Sequence, residues 1–119
     1  MPYDQNNIFA KILKGEIPCK KINDDEYYLA FHDIQPKAPI HVLVIPKGKY
    51  ISAQDFHEKA SPEEISGFYK GLAKVVESLN IKNDGFRLIS NCGLNGGQEV
   101  PHFHVHILGG KKLGPMLKD

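Results

Sequence analysis

His102-Phe103-His104-Val105-His106-Ile107-Leu108 alternates histidine with large apolar residues without a break. Successive side chains of a β-strand point to opposite faces. The pattern therefore predicts a strand over residues 102–108, with Phe103, Val105 and Ile107 in a core and His102, His104 and His106 in a row at intervals of about 6.6–6.8 Å. One face is structural and the other is a line of imidazoles. The internal position and the apolar interleaving separate this stretch from an affinity tag.

Working outward, Asn91-Cys92-Gly93-Leu94-Asn95-Gly96-Gly97-Gln98 reads as a glycine-rich loop, fed by a strand over residues 86–91. Further upstream, Ser61-Pro62-Glu63-Glu64 carries a Ser-x-x-Glu capping box with proline at the first helical position. Ile65, Phe68, Leu72, Val75, Val76 and Leu79 follow on one stripe, which predicts a single long helix of about 18 residues closed before Asn83-Asp84-Gly85. His41-Val42-Leu43-Val44-Ile45 is apolar on both faces, as a central strand covered on both sides should be, and Pro36 and Pro39 break the loop before it. Ile22 and the Asn23-Asp24-Asp25 turn signal predict a hairpin whose returning strand covers residues 27–32. Near the start, Ile8, Phe9, Ile12 and Leu13 have helical spacing, with Asn6 or Asn7 as N-cap and Gly15 as the stop. Strands that follow one another without a helix each time favour an α+β domain. The expected fold is a mainly antiparallel five-stranded sheet with one long and one short helix, a single domain over residues 1–119.

Fifteen Lys+Arg against 14 Asp+Glu give a net charge of +1, so the chain has no field for attracting nucleic acid or an anionic membrane, and neither is an expected partner. The polar start and the two cysteines, Cys19 and Cys92, point to a reducing, cytoplasmic compartment. No apolar run approaches the roughly 20 residues that a bilayer-spanning helix needs.

Two chemistries suit the imidazole row. His-x-His on a strand can present two nitrogens to zinc, but a metal needs further converging ligands. His32, His41, Cys19 and Cys92 are distant candidates without a recognisable metal spacing. Alternatively, a neutral imidazole attacks phosphorus directly and forms a labile adduct. The glycine loop that runs into the histidines favours this second route, because glycine lets backbone amides approach phosphate oxygens. No metal or cofactor is expected.

Gly96-Gly97-Gln98-Glu99-Val100-Pro101-His102 through Gly110 resembles the signature of the histidine triad family in its Hint-like branch. Ile8-Phe9-x-Lys11-Ile12, Glu16-Ile17-Pro18, Ala30-Phe31-His32-Asp33-Ile34, Ala38-Pro39-x-His41 and Leu43-Val44-Ile45-Pro46-Lys47 extend the similarity over nearly the whole chain. The resemblance implies a homodimeric hydrolase that cleaves purine nucleoside phosphoramidates, such as AMP amides, through a nucleotidyl-histidine on His104. His102 and His106 would flank that ring and bind phosphate oxygens, and His41 would support the network. Asn91 and the amides around Gly97, Gln98 and Glu99 would contact phosphate and leaving group, with Glu99 as general acid. Asp33 would accept from the ribose hydroxyls, and Ile8, Phe9, Phe31, Ile34 and Leu43 would form the slot for the base. Related possibilities are a dinucleoside polyphosphate hydrolase or nucleotidyl transferase, a nucleotide-binding regulatory module, or a zinc protein. The transferase branch usually has glutamine in place of the last histidine, so His106 favours water as acceptor. The tail over residues 109–119 corresponds to a segment that reaches the partner's site in such dimers, and it lacks tryptophan. Phe68, Leu72, Val75 and the strand from Phe86 mark where a dimer is expected to pair.

Overall fold

The computed structural model describes residues 2–117; Met1 and the last two tail residues, Lys118 and Asp119, lie outside the described residues. The elements in chain order are α1 (Ile8–Leu13), β1 (Lys21–Asp24), β2 (Tyr28–His32), β3 (Ile40–Pro46), α2 (Ala53–Lys59), α3 (Pro62–Ser78), β4 (Arg87–Ile89) and β5 (Val105–Gly109). The strands form one antiparallel sheet in the order β1-β2-β3-β5-β4. As its two-faced apolar sequence predicts, β3 is central.

Side-chain alternation divides these strands between two cores. Tyr28 and Ala30 of β2, Val42 and Val44 of β3, and Val105 and Ile107 of β5 pack with Phe56 of α2 and Phe68, Leu72, Val75 and Val76 of α3. α3 approaches closely because Gly71 has no Cβ; one placed there would fall 2.1 Å from the Tyr28 ring. The opposite face holds Leu29, Phe31, Leu43 and Ile45 under Phe9 and Ile12 of α1. Both expected caps form. Asn7, rather than Asn6, accepts from Ala10 N at 2.9 Å, and Ser61 and Glu64 close the reciprocal capping box.

The structure departs from expectation in four places. A third helix, α2, follows Ser52, whose side chain accepts from Asp55 N. It has seven residues and buries only Phe56, so there is no apolar stripe for periodicity to detect. The triad strand starts at Val105, three residues late, because Pro101 turns the chain there. The amide of His102 then donates to Val100 O and that of Phe103 to Tyr50 O, away from the ladder. β4 is shortened correspondingly, ending at Ile89 opposite His106. Phe68, Leu72 and Val75 are buried in the protomer's own core, so they offer no surface to a partner. The exposed apolar residues in this region are Tyr69, Phe86 and Leu88. The tail is held to β4 by Arg87, whose guanidinium donates to Gly114 O at 2.7 Å. Among the described residues no helix is long and apolar enough to cross a membrane.

Candidate active site

α1 covers only part of its face of the sheet, and the uncovered part forms a cavity of about 590 Å³. Ile8, Phe9, Phe31, Ile34 and Leu43 supply apolar wall; Asp33, His41, Asn91, Gly97, Glu99, His104 and His106 supply polar groups. The strand register explains the meeting: Leu43 lies opposite His106 and His41 opposite Leu108, which puts His41 and His106 on one face. Their rings are 5.1 Å apart, and the rings of His104 and His106 are 5.0 Å apart.

The hydrogen bonds fix every tautomer. His104 Nδ1 lies 2.7 Å from the carbonyl of His102, which can only accept, so Nδ1 carries the proton and Nε2 is a bare lone pair. The Lys37 amide donates to His41 Nδ1 at 3.0 Å, which places the His41 proton on Nε2. That Nε2–H faces His106 Nδ1 at 2.9 Å and Asp33 Oδ2 at 3.4 Å. His106 therefore accepts at Nδ1 and carries its own proton on Nε2. Burial disfavours the charged form of all four imidazoles. It lowers His104, with the His102 carbonyl and the Asp33 and Glu99 carboxylates opposing it, and it lowers His41 against the pull of Asp33. His106 is brought down to about 4 by burial and by its neighbours His104 and His41. At neutral pH the cluster is uncharged, and His104 presents an unprotonated Nε2.

Two residues stand elsewhere than expected. His102 is fully buried outside the cavity, with both ring nitrogens engaged: Nε2 donates to Pro46 O at 3.0 Å, and Nδ1 accepts from Tyr3 O–H at 2.6 Å. The imidazole row thus has two members at the cavity, because the bend at Pro101 and His102 turns the His102 ring away from it. Gln98 also lies outside the lining. Its side chain accepts from Gly93 N and donates to Val100 O, each at 3.0 Å, which staples the glycine loop from behind. Inside that loop the amides of Gly97 and Gln98 donate to Leu94 O and Gly93 O, so neither is free for a ligand. The amide of Glu99 makes no hydrogen bond among the described residues. Asn91 braces the loop by donating to Gly96 O at 2.6 Å.

Sequence reasoning missed Tyr3, the Lys37 amide and the Pro46 carbonyl as parts of this network. Only Lys37 left a local trace, four residues before His41 in a proline-bounded loop. Among the described residues one group of three side chains, Asp33, His41 and His106, is close enough to share a metal ion. Its central ligand atom would be His41 Nε2, the nitrogen that the Lys37 amide obliges to carry a proton, so a cation there would have to break that hydrogen bond. The donor chemistry fits a hydrogen-bond relay better than a metal centre.

A HIT domain family model matches residues 14–113. The chain is 50% identical over 115 residues, 97% of its length and 94% of the relative's, to a 13.2 kDa HIT-like protein of Azospirillum brasilense. It is 43% identical over 116 residues, covering 95% of this chain and 94% of the other, to the purine nucleoside phosphoramidase of Escherichia coli strain K12. A solved HIT family hydrolase from Clostridium thermocellum superposes with a TM-score of 0.86 at 39% identity, covering 97% of this chain and 99% of that one. The chain belongs to the HIT domain family.

Proposed function

We propose that this protein is a hydrolase of purine nucleoside 5′-phosphoramidates, releasing an amine and a nucleoside monophosphate through a covalent adduct on His104. The observation that carries the reading is the 2.7 Å bond from His104 Nδ1 to the His102 carbonyl, which leaves an unprotonated Nε2 on a ring that lines the cavity. The relationship to a purine nucleoside phosphoramidase at 43% identity supports the choice of substrate.

His104 Nε2 attacks the α-phosphorus in line; an Nε2–P bond forms as the P–N bond breaks. His106, donating from Nε2, stabilises a non-bridging oxygen, and His41 holds His106 in that tautomer. The departing nitrogen takes up a proton, relayed from solvent by Glu99, which is exposed in the cavity lining. Water then cleaves the Nε2–P bond and restores the free imidazole. Asp33 accepts from the ribose hydroxyls, and the apolar wall grips the base by its faces, which suits a flat purine with modest base selectivity. His102 acts through its carbonyl. A second copy of the chain is the expected protein partner, with β4, one of the two edge strands of the sheet, and the exposed Phe86 and Leu88 as the surface to be covered. Both cysteines are unpaired, in keeping with a cytoplasmic setting.

Rapid quenching of the protein during turnover of an AMP amide, followed by peptide mass analysis, tests the mechanism. A nucleotidyl group on the peptide at His104, formed and lost at rates matching turnover, is the expected result. Amine release without any adduct, or full activity in His104→Ala, refutes it.

A further inference from the structure

The chain's first residues reach the triad from outside the sheet. Tyr3 donates its hydroxyl to His102 Nδ1 at 2.6 Å, with the two rings edge to face and 5.6 Å apart. The segment carrying Tyr3 is firmly built. The carbonyl of Asp4 accepts from Asn7 Nδ2 at 2.7 Å, Asn7 Oδ1 caps α1, and Lys14 Nζ donates to Gln5 O at 3.0 Å. The arm and α1 are thus one hydrogen-bonded unit. From the same unit Phe9 sets its ring edge-on to His104 at 5.0 Å and to His102 at 6.3 Å.

His102 joins this unit to the reacting nitrogen. Its Nε2–H is committed to Pro46 O, so Nδ1 can only accept, and Tyr3 supplies the one hydrogen bond that reaches it among the described residues. The ring is fully buried, and no buried side-chain nitrogen or oxygen among the described residues lacks a partner. Without the hydroxyl, Nδ1 becomes a desolvated acceptor with nothing to accept, an expensive state that a buried ring relieves by rotating or by moving its proton. Any such movement displaces the backbone carbonyl of the same residue, and that carbonyl fixes the proton on His104 Nδ1.

We propose that Tyr3 is a positioning residue for the reaction: its hydroxyl locks His102, and the His102 carbonyl in turn holds His104 with Nε2 bare and correctly aimed. This rests on the reading of His104 as the nucleophile. Tyr3 and His102 lie outside the cavity lining, so their effect falls on the chemical step and leaves substrate binding alone.

Tyr3→Phe removes the hydroxyl and keeps the ring. In protein labelled with ¹⁵N at histidine, wild type gives His102 with a hydrogen-bonded, unprotonated Nδ1 and His104 as a single Nδ1–H tautomer. In Tyr3→Phe the His102 Nδ1 signal moves to the position of a free imine nitrogen, and His104 becomes a tautomer mixture. On an AMP amide, kcat falls about five- to tenfold, the size of one lost hydrogen bond, with KM unchanged. Ser61→Ala, which uncaps α3 on the far side of the sheet, lowers the melting temperature by a few degrees and leaves kcat and both histidine spectra as in wild type. That control separates positioning from loss of stability. Wild-type kcat together with an unchanged His104 spectrum in Tyr3→Phe overturns the proposal. Should the wild-type protein cleave no phosphoramidate, the functional reading fails by itself, and the spectra of the resting protein still decide the role of Tyr3.

Discussion

The two faces of the sheet come from the same strands and differ in how much helix covers them. α3, with 17 residues, runs about 25 Å, close to the roughly 24 Å of the seven-residue β3 beneath it. Helped by α2, it leaves Tyr28, Val42, Val44, Phe56, Phe68 and Ile107 with no exposed surface. α1, with six residues, runs about 9 Å and covers little more than a third of the same strand. The remainder of that face is the cavity, and His41, His104 and His106 line it. A site is made here by withholding cover from one face of a sheet whose rigidity is secured on the other.

If that division is real, each face can be broken without the other. His104→Ala removes the proposed nucleophile and nothing from the far core; turnover of an AMP amide should fall by at least about 10⁴-fold while the melting temperature stays near wild type. Phe68→Ala is the opposite lesion. Its ring is fully buried, 5.2 Å from those of Phe56 and Phe103, and removing it should cost about 3–5 kcal/mol in urea unfolding. Assayed below its melting temperature, that variant should keep kcat within a few-fold. A folded Phe68→Ala protein as inactive as His104→Ala would mean that the covered face takes part in the chemistry.

The covered face was the more legible of the two. A period of two assigns Val42 and Val44 to one side and Leu43 and Ile45 to the other, and a stripe from Ile65 to Leu79 with a capping box announces α3. The alternation in residues 102–108 also placed Phe103, Val105 and Ile107 in a core, which the structure shows to be the one under the helices. Periodicity assigns a face but says nothing of whether that face is roofed, which depends on helix length and packing. It placed His102 in line with His104 and His106, whereas the turn at Pro101 takes it out of the ladder. α2 left no signal because one buried phenylalanine makes no stripe. Tyr3 was beyond reach for a different reason: a contact spanning 99 positions has no local signature, and a lone tyrosine near the start of a chain is unremarkable in composition.

pH sharpens the comparison, since the buried imidazoles His41, His102 and His104 belong to the histidine side and the helix-covered core has none. His102 and His106 are lowered from the ordinary 6.5 to about 4, chiefly by burial. Between those values the unfolded chain binds protons that the folded chain refuses, so stability is complete above about pH 6.5 and is lost as pH falls towards 4. For the fully buried His102 the loss should be on the order of 3 kcal/mol, and for the partly exposed His106 it should be smaller. Urea midpoints at pH 7.5, 5.5 and 4 measure it. The acid limb of turnover should likewise lie below pH 6.5, because burial keeps His104 neutral as well. An acid limb at or above 6.5 would mean that the reacting ring is solvated.

The smallest effect separates backbone geometry from side-chain chemistry on the open face. Gly97 has φ +74 and nothing within 4 Å of where a Cβ would stand, so Gly97→Ala meets no clash and only the left-handed backbone opposes it. The expected cost is about 1 kcal/mol of stability. The glycine loop need not move much to relieve that strain, since Gln98 and Asn91 fasten it at both ends. If the free amide of Glu99 receives the phosphate, a small rotation at Gly97 turns it away. KM should then rise several-fold with the His104 adduct still forming. An unchanged KM alongside the stability loss would place phosphate recognition on His106 and its neighbours alone, and would reduce the loop to a connector between β4 and β5.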